Sequence, residues 1–138
     1  MTSFLCTTCG TQFPESDAPP AECPICCDER QYVPAAGQQW VTYQEVCDTH
    51  HAEIRDELGV TGIGLAPSFG IGQRALLVES AGGNILWDCV PLLDEMSSFV
   101  ESRGGLNAVA VSHPHYYTTM VEWAHRFDCP VFIHERER

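Results

Sequence analysis

Residues 104–127 read Gly104-Gly105-Leu106-Asn107-Ala108-Val109-Ala110-Val111-Ser112-His113-Pro114-His115-Tyr116-Tyr117-Thr118-Thr119-Met120-Val121-Glu122-Trp123-Ala124-His125-Arg126-Phe127. The run from Asn107 to Ser112 follows a Gly-Gly turn and carries no charge, the pattern of a strand buried on both faces of a sheet. It runs out at Ser112-His113-Pro114-His115. Thr119-x-x-Glu122 is then a capping box, so a helix starts there with Met120, Trp123, Ala124 and Phe127 along one side. Strand, polar loop and helix form the repeating unit of an α/β fold, and open α/β sheets hold their ligands at the C-terminal edge of their strands. His113 and His115 stand at such an edge. Side chains two apart on extended chain point the same way, so this pair can share one metal ion.

Working outward, the α/β pattern reaches back to Gln39. Thr42-x-x-Glu45 is another capping box, opening a helix predicted to run to about Leu58 and stop at Gly59, with Val46, Cys47, Ile54 and Leu58 as its apolar stripe. Thr61–Leu65 and Arg74–Glu79 read as strands, the second nearly all apolar. Ala81-Gly82-Gly83-Asn84 supplies a tight turn before a third strand, Ile85-Leu86-Trp87, which ends in Asp88-Cys89. Leu92, Leu93, Met96, Phe99 and Val100 mark one face of a helix ending at Gly104-Gly105. Downstream, Pro130 to Ile133 is a last short strand before the charged stretch His134 to Arg138. Gly62-x-Gly64 and Gly70-x-Gly72 lack the strand–loop–helix context of a dinucleotide site and read as turns. His50-His51 falls on the first helix, where adjacent residues diverge by about 100° and cannot face one ion. His134 reads as a sheet-end residue, and Cys47, Cys89 and Cys129 as packed thiols.

Residues 1–38 are different. They hold five of the nine prolines and five of the eight cysteines, with no helical period. So short a segment buries too little apolar area to order itself and needs a staple. Cys6-Thr-Thr-Cys9-Gly10 and Cys23-Pro24-Ile25-Cys26 supply one: two Cys-x-x-Cys turns that can close a tetrahedral four-sulfur site on one metal ion. Cys27 stands beside Cys26, but the x-x spacing selects Cys26. A closed site of this type has no open coordination position, so it is structural or electron-transferring and not hydrolytic. The two turns resemble the knuckles of rubredoxin-like zinc ribbons, which implies zinc, with iron as the alternative metal for the same four thiolates.

Composition narrows the class. The 138 residues are 44% hydrophobic and 19% charged, a globular balance. Nineteen acidic residues face 7 basic ones, all of them Arg, for a net charge of −12. That charge repels phosphate backbones and excludes a nucleic-acid role. The longest uncharged central stretch, Leu58 to Gln73, is too short and too broken by glycine to span a bilayer. The first residues show neither a basic n-region nor an apolar h-region, so a cytoplasmic location is expected, where paired cysteines bind metal more readily than they form disulfides.

The order of elements carries a second resemblance. A strand ending at Asp88, a helix, a Gly-Gly turn, a strand, His113-x-His115, a helix and a last strand resemble the first half of the metallo-β-lactamase fold over residues 60–134. In that family an early strand ends in Asp, and a His-x-His-x-Asp-His motif follows the next strand. Asp88, His113 and His115 match; the motif's Asp and third His fall at Tyr117 and Thr118. The resemblance implies an α/β chain: a rubredoxin-like zinc ribbon over residues 1–38, held by Cys6, Cys9, Cys23 and Cys26, followed over residues 39–138 by the N-terminal half of an αββα metallo-β-lactamase-like sandwich. It implies a zinc-dependent metallo-hydrolase acting on a small-molecule substrate, or a catalytically degraded relative, with His113 and His115 holding a second metal and Asp88 supporting them. The alternatives are a non-catalytic zinc-ribbon scaffolding module and a rubredoxin-like electron-transfer protein. A half-sandwich leaves one sheet face open, expected to include Leu76, Val78, Val109 and Val111. A homo-oligomer, or a missing C-terminal half, is therefore expected to cover it.

Overall fold

Short helices and glycine turns divide this chain into strands of two to seven residues, and the computed structural model, which describes residues 1–137, pairs them into two sheets. Strand β1 (Phe4–Cys6) pairs antiparallel with β2 (Trp40–Thr42), Cys6 opposite Trp40, so the whole cysteine segment is looped between them. Thr42 caps helix α1 (Tyr43–Thr49) as its sequence requires: the Glu45 amide donates to Thr42 Oγ1 at 3.1 Å, and the Thr42 amide donates back to Glu45 Oε2 at 2.7 Å. Then come β3 (His51–Glu57), β4 (Val60–Ala66), β5 (Ala75–Val78), β6 (Ile85–Trp87), helix α2 (Asp94–Ser102), β7 (Ala108–Ala110), helix α3 (Met120–Phe127) and β8 (Val131–Phe132). They form one sheet in the order β3-β4-β5-β6-β7-β8, antiparallel through β6 and parallel from β6 to β8. The mixed α/β class read from the sequence is the class observed. The two parallel pairings are made by crossovers through α2 and α3, as parallel strands require.

The expected helix from Thr42 to Leu58 is corrected: it stops at Thr49, and His51–Glu57 is a strand. The turn Leu58-Gly59 has both residues in the left-handed region, at φ 57° and 92°, which suits a two-residue hairpin. That turn lets seven residue pairs form between β3 and β4, from Glu57↔Val60 to His51↔Ala66. Ala52 and Ile54 pack on the core while Glu53, Arg55 and Glu57 carry the other face, a period of two that outcompetes the weaker helical stripe. Gly62 and Gly64, expected in a turn, are strand residues of β4, whereas Gly70 and Gly72 do turn, at φ 60° and 76°.

The core lies on one side of the six-stranded sheet. Ile63, Leu77, Leu86 and Val109 face it from four successive strands and meet Met96 and Val100 of α2 and Trp123 of α3. The strands read as buried on both faces are therefore buried on one. In β5, Ala75 and Leu77 point inward while Val78 is exposed. Val109 and Val111 are buried, so they do not belong to the open face with Leu76 and Val78; Ile85, Trp87 and Phe132 do. Alternation along each strand is the reason, because Val109 and Val111 share parity with the inward row.

The second capping box is not made. Thr119 precedes α3 at φ 32° with no cap hydrogen bond. Its hydroxyl is buried, accepting from the Leu92 amide at 2.9 Å and donating to the Val90 carbonyl at 3.1 Å. Trp123 Nε1 donates to the same carbonyl at 2.8 Å. These bonds fasten the segment after β6 to the start of α3, where the histidine loop ends.

Candidate metal centre and histidine loop

The four ribbon cysteines converge. Cys6 is the last residue of β1, and the chain turns back through Gly10, at φ 78°, whose amide donates to the Cys6 carbonyl at 2.7 Å. The second knuckle closes alike, with the Cys27 amide donating to the Cys23 carbonyl at 3.0 Å. The sulfurs of Cys6, Cys9, Cys23 and Cys26 all lie within 4.8 Å of one another, and all four residues are buried. Cys6 Sγ is 3.7 Å from Cys26 Sγ, and Cys9 Sγ is 3.7 Å from Cys23 Sγ. Sulfurs at the ordinary Zn–S length of about 2.3 Å stand ~3.8 Å apart in a tetrahedron, so the spacing is that of a shared ion and far beyond a disulfide. Cys27 is exposed and outside the group.

The surroundings favour a cation. Hydrogen bonding from Cys9 pulls the Cys6 thiol down to about 5 against the cost of burial, while that same bond and burial push Cys9 far up. Burial likewise pushes Cys26 up to about 12. Four buried thiolates this close together repel one another, and a bound cation would neutralise them. The chain therefore carries a four-cysteine cluster able to bind a metal ion. Its donor set is soft and closed, suited to zinc or iron. Phe13 and Trp40 stack edge to face beside it, ring centroids 5.1 Å apart.

The histidine loop is built from Asp88 upward. Asp88 directly follows β6, in the left-handed region at φ 65°, and is buried. Its Oδ1 accepts the Ser112 amide at 2.7 Å, and its own amide donates to the Ala110 carbonyl at 2.7 Å. The Asp88 carboxylate thus pins the chain where β7 ends. His113 is extended, and Pro114–Tyr116 then makes one 3-10 turn. The two imidazoles meet through that turn rather than along a strand: His113 Nδ1 is 3.1 Å from His115 Nδ1 and accepts the His115 amide at 3.1 Å. Burial pushes the His115 imidazole below its usual value, the neighbouring His113 adds to this, and Asp28 opposes it. The pair opens into a cleft shared with Pro24, Ile25, Asp28 and Arg30 of the cysteine segment.

Tyr117 and Thr118 do not join the pair. The Tyr117 hydroxyl donates to the Glu137 carbonyl at 3.1 Å. Thr118 is 3% exposed and lines a separate cavity of about 220 Å³ with Gly10, Phe69 and Arg74. Elsewhere, His50 ends α1 against Phe69, His51 opens β3, and His134 Nδ1 accepts the Arg136 amide at 3.2 Å. Cys89 is buried, and Cys47 and Cys129 are half-buried against the core, as packed thiols should be. Among the described residues the four cysteines form the one cluster of three or more metal-ligating side chains.

Three glutamines matter here that sequence reasoning misses, because isolated loop amides carry no signal. Gln73 Nε2 donates to the Cys9 carbonyl at 2.6 Å and to the His115 carbonyl at 3.2 Å, tying the first knuckle to the histidine loop. The Gln12 amide donates to the Tyr117 carbonyl at 2.9 Å, and Gln12 Nε2 donates to Glu122 Oε1 at 2.6 Å. Gln31 Oε1 is hydrogen-bonded to His115 Nε2. The cysteine segment therefore holds the loop from both knuckles.

Fold and site together define a mixed α/β chain with an N-terminal four-cysteine cluster able to bind a metal ion. It is similar to the uncharacterized protein YmaE of Bacillus subtilis (strain 168), 40% identical over 142 residues, an alignment covering 100% of this chain and 52% of that protein. The chain thus spans about half the length of the curated relative it matches. No family model matches, and no solved structure matches. The metallo-β-lactamase resemblance gains no support from these comparisons. Among the described residues no helix is long and apolar enough to cross a membrane.

Proposed function

We propose that this chain is a zinc-binding protein of metallo-β-lactamase-like type, in which a four-cysteine zinc ribbon braces a two-histidine metal loop of low hydrolytic capacity. The supporting observation is the His113–Ser112–Asp88 arrangement: a buried carboxylate pins the end of β7 at 2.7 Å, and two imidazole nitrogens converge at 3.1 Å directly beyond it. Two nitrogens bound to one zinc at about 2.1 Å stand ~3.4 Å apart, so chelation would need the rings to part slightly and the His113 Nδ1 lone pair to leave the His115 amide. The lowered basicity of His115 favours the neutral ring that a metal requires.

Zinc at such a loop supplies a Lewis acid and an acidified water. His113 and His115 would hold it, Asp88 positions them, and Gln31 orients His115 through its far nitrogen, as partners of ligating histidines do. Hydrolytic sites use about three protein ligands with one open position. Tyr117 and Thr118 supply neither the carboxylate nor the third imidazole, so the second metal is held weakly and turnover on a small ester or lactone is low.

Metal content per chain tests this. Wild type should retain one zinc through extensive dialysis and take up a second only at elevated zinc. Cys9→Ser and Cys23→Ser should lose the tight zinc and the ribbon's order together. His113→Ala and His115→Ala should each lose only the weak one. Equal metal uptake by wild type, His113→Ala and His115→Ala would reduce the chain to a non-catalytic zinc-ribbon module. A red protein with iron in the four-cysteine site would replace zinc by an electron-transfer reading.

A further inference from the structure

The cavity of about 220 Å³ lies just beyond the carboxyl end of β6, among Leu65, Phe69, Val90 and Pro91, and neither imidazole of the histidine loop lines it. Parallel strands hold their ligands at that edge. Among the described residues four buried side-chain nitrogen or oxygen atoms lack a hydrogen-bond partner, and two of them, Thr118 Oγ1 and Arg74 Nη1, belong to residues lining this one cavity. Thr118 is 3% exposed. Buried polar groups are paired almost without exception, so two orphans on one cavity point to a ligand that pairs them. Glycine keeps the space clear. A Cβ at Gly10 would stand 3.6 Å from the Phe69 ring and 3.9 Å from Thr118 Cβ, and one at Gly64 would stand 2.9 Å from Arg74 Nη1.

The charges around the cavity limit what can enter. Arg74 Nη2 bonds Glu53 Oε2 at 2.5 Å, and Arg74 Nε lies 3.1 Å from Glu57, which Arg55 Nε also holds at 2.7 Å. Two guanidinium groups thus face two carboxylates, a balanced set with the N–H donors of Nη1 left over. Glu53 lines the cavity too, and its Oε1 is 3.9 Å from Arg55 Nη1, beyond hydrogen-bond range. The cavity therefore presents two free donors, at Arg74 and Thr118, and one free carboxylate oxygen beside an apolar wall. A carboxylate alone would add a negative charge to a balanced set, in a chain of net charge −12. An amine alone would leave Arg74 Nη1 without its acceptor. A molecule with both ends satisfies all three atoms and adds no net charge.

We propose that this cavity binds a small aliphatic α-amino acid as its zwitterion. The carboxylate takes the donors of Arg74 Nη1 and Thr118 Oγ1, the ammonium sits on Glu53 Oε1, and the side chain lies against Leu65, Phe69 and Val90. Both polar ends then make charge-assisted hydrogen bonds, roughly twice as strong as neutral ones. The inference does not need the histidine loop to bind metal.

The test uses the full chain with L-valine as probe, followed by calorimetric titration and by magnetic-resonance shifts of backbone amides and of Arg74 Nε–H. Saturable binding at one site per chain is expected, with shifts centred on Leu65, Val90 and Thr118. Isobutyrate, isobutylamine and isobutyramide, each lacking one charge or both, should bind roughly tenfold more weakly or worse. Thr118→Val removes an unpaired hydroxyl at nearly constant shape, so the melting temperature should hold or rise while L-valine binding weakens about tenfold. A Thr118 that merely packs would leave binding unchanged. Arg74→Lys and Glu53→Gln should each weaken L-valine by about as much, and Val121→Ser, exposed on α3, should not. Three results would overturn the proposal. The first is no saturable shift at tens of millimolar L-valine, which would leave ordered water as the partner of both atoms. The second is isobutyrate or isobutyramide binding as tightly as L-valine. The third is binding indifferent to Thr118→Val and to Glu53→Gln.

Discussion

The two faces of the six-stranded sheet are made by the same strands and are both apolar, yet one is closed and the other open. On the inner face Leu86 and Val109 are fully buried beneath α2 and α3; on the outer face their neighbours Ile85, Trp87 and Phe132 meet solvent. Apolar content alone does not say which side of a strand is the core. What separates the faces is the cover, and cover comes from helices whose crossovers both fall on one side. The tryptophans make the contrast in one residue type: Trp123 is buried with its Nε1 bonded, while Trp87 lies open on the sheet.

A charge placed on each face should give the widest split. Val109→Asp buries a carboxylate with no partner, and should remove several kcal/mol of stability, enough to prevent folding of a marginal chain. Val78→Asp meets water and should change stability by less than about 1 kcal/mol. Urea unfolding of both variants decides it, and equal effects would erase the distinction between the faces.

Truncating the tryptophans comes next. Trp123→Ala should cost about 3–5 kcal/mol, from a cavity and from the Val90 carbonyl left without its donor. Trp87→Ala in the isolated chain should stay within about 0.5 kcal/mol, or even reduce association. Thermal melts with calorimetry separate the two.

Much of this is legible in the sequence, for identifiable reasons. Both Cys-x-x-Cys turns declare themselves because the ligand spacing is local, and Asp88, His113 and His115 because strand ends are local too. The Thr42 capping box marks where its helix starts but not where it ends, since Leu58-Gly59 serves a hairpin as well as a helix stop. Thr119 carries the same signature, yet its hydroxyl is taken by the Leu92 amide and Val90 carbonyl, residues nearly thirty positions away. Gln12, Gln31 and Gln73 are invisible because their partners are set only by tertiary packing.

A smaller effect belongs to the charged border of the outer face. Gly62→Ala places a methyl against the Glu57 side chain and should cost on the order of 1 kcal/mol as the Arg55–Glu57–Arg74 pairs rearrange, with Gly82→Ala, in an exposed turn, as the mild comparison. Smallest is the cap. Thr42→Ala should cost about 1 kcal/mol at neutral pH. Hydrogen bonds from the Thr42 amide and hydroxyl hold the Glu45 carboxyl below its ordinary 4.5. A carboxyl depressed by folding stabilises the fold above its unfolded value and loses that contribution as pH falls through the folded one. The penalty of Thr42→Ala should therefore shrink below about pH 4, measured by urea midpoints across pH 3 to 7.

The single amide of Gln73, shared between the Cys9 and His115 carbonyls, bears on modularity. The cysteine segment looks detachable in sequence, with its own prolines and its own staple. Yet cutting the chain after residue 38 would part β1 from β2, orphan Gln73, and release the Tyr117 carbonyl from Gln12. A transplant of the segment onto another scaffold would have to bring along a glutamine from the β4–β5 loop and a carbonyl from beyond β7. Inheritance faces the same constraint as the engineer: an insertion in residues 67–73 would be felt at both knuckle and histidine loop at once, so the three segments are free to vary only together.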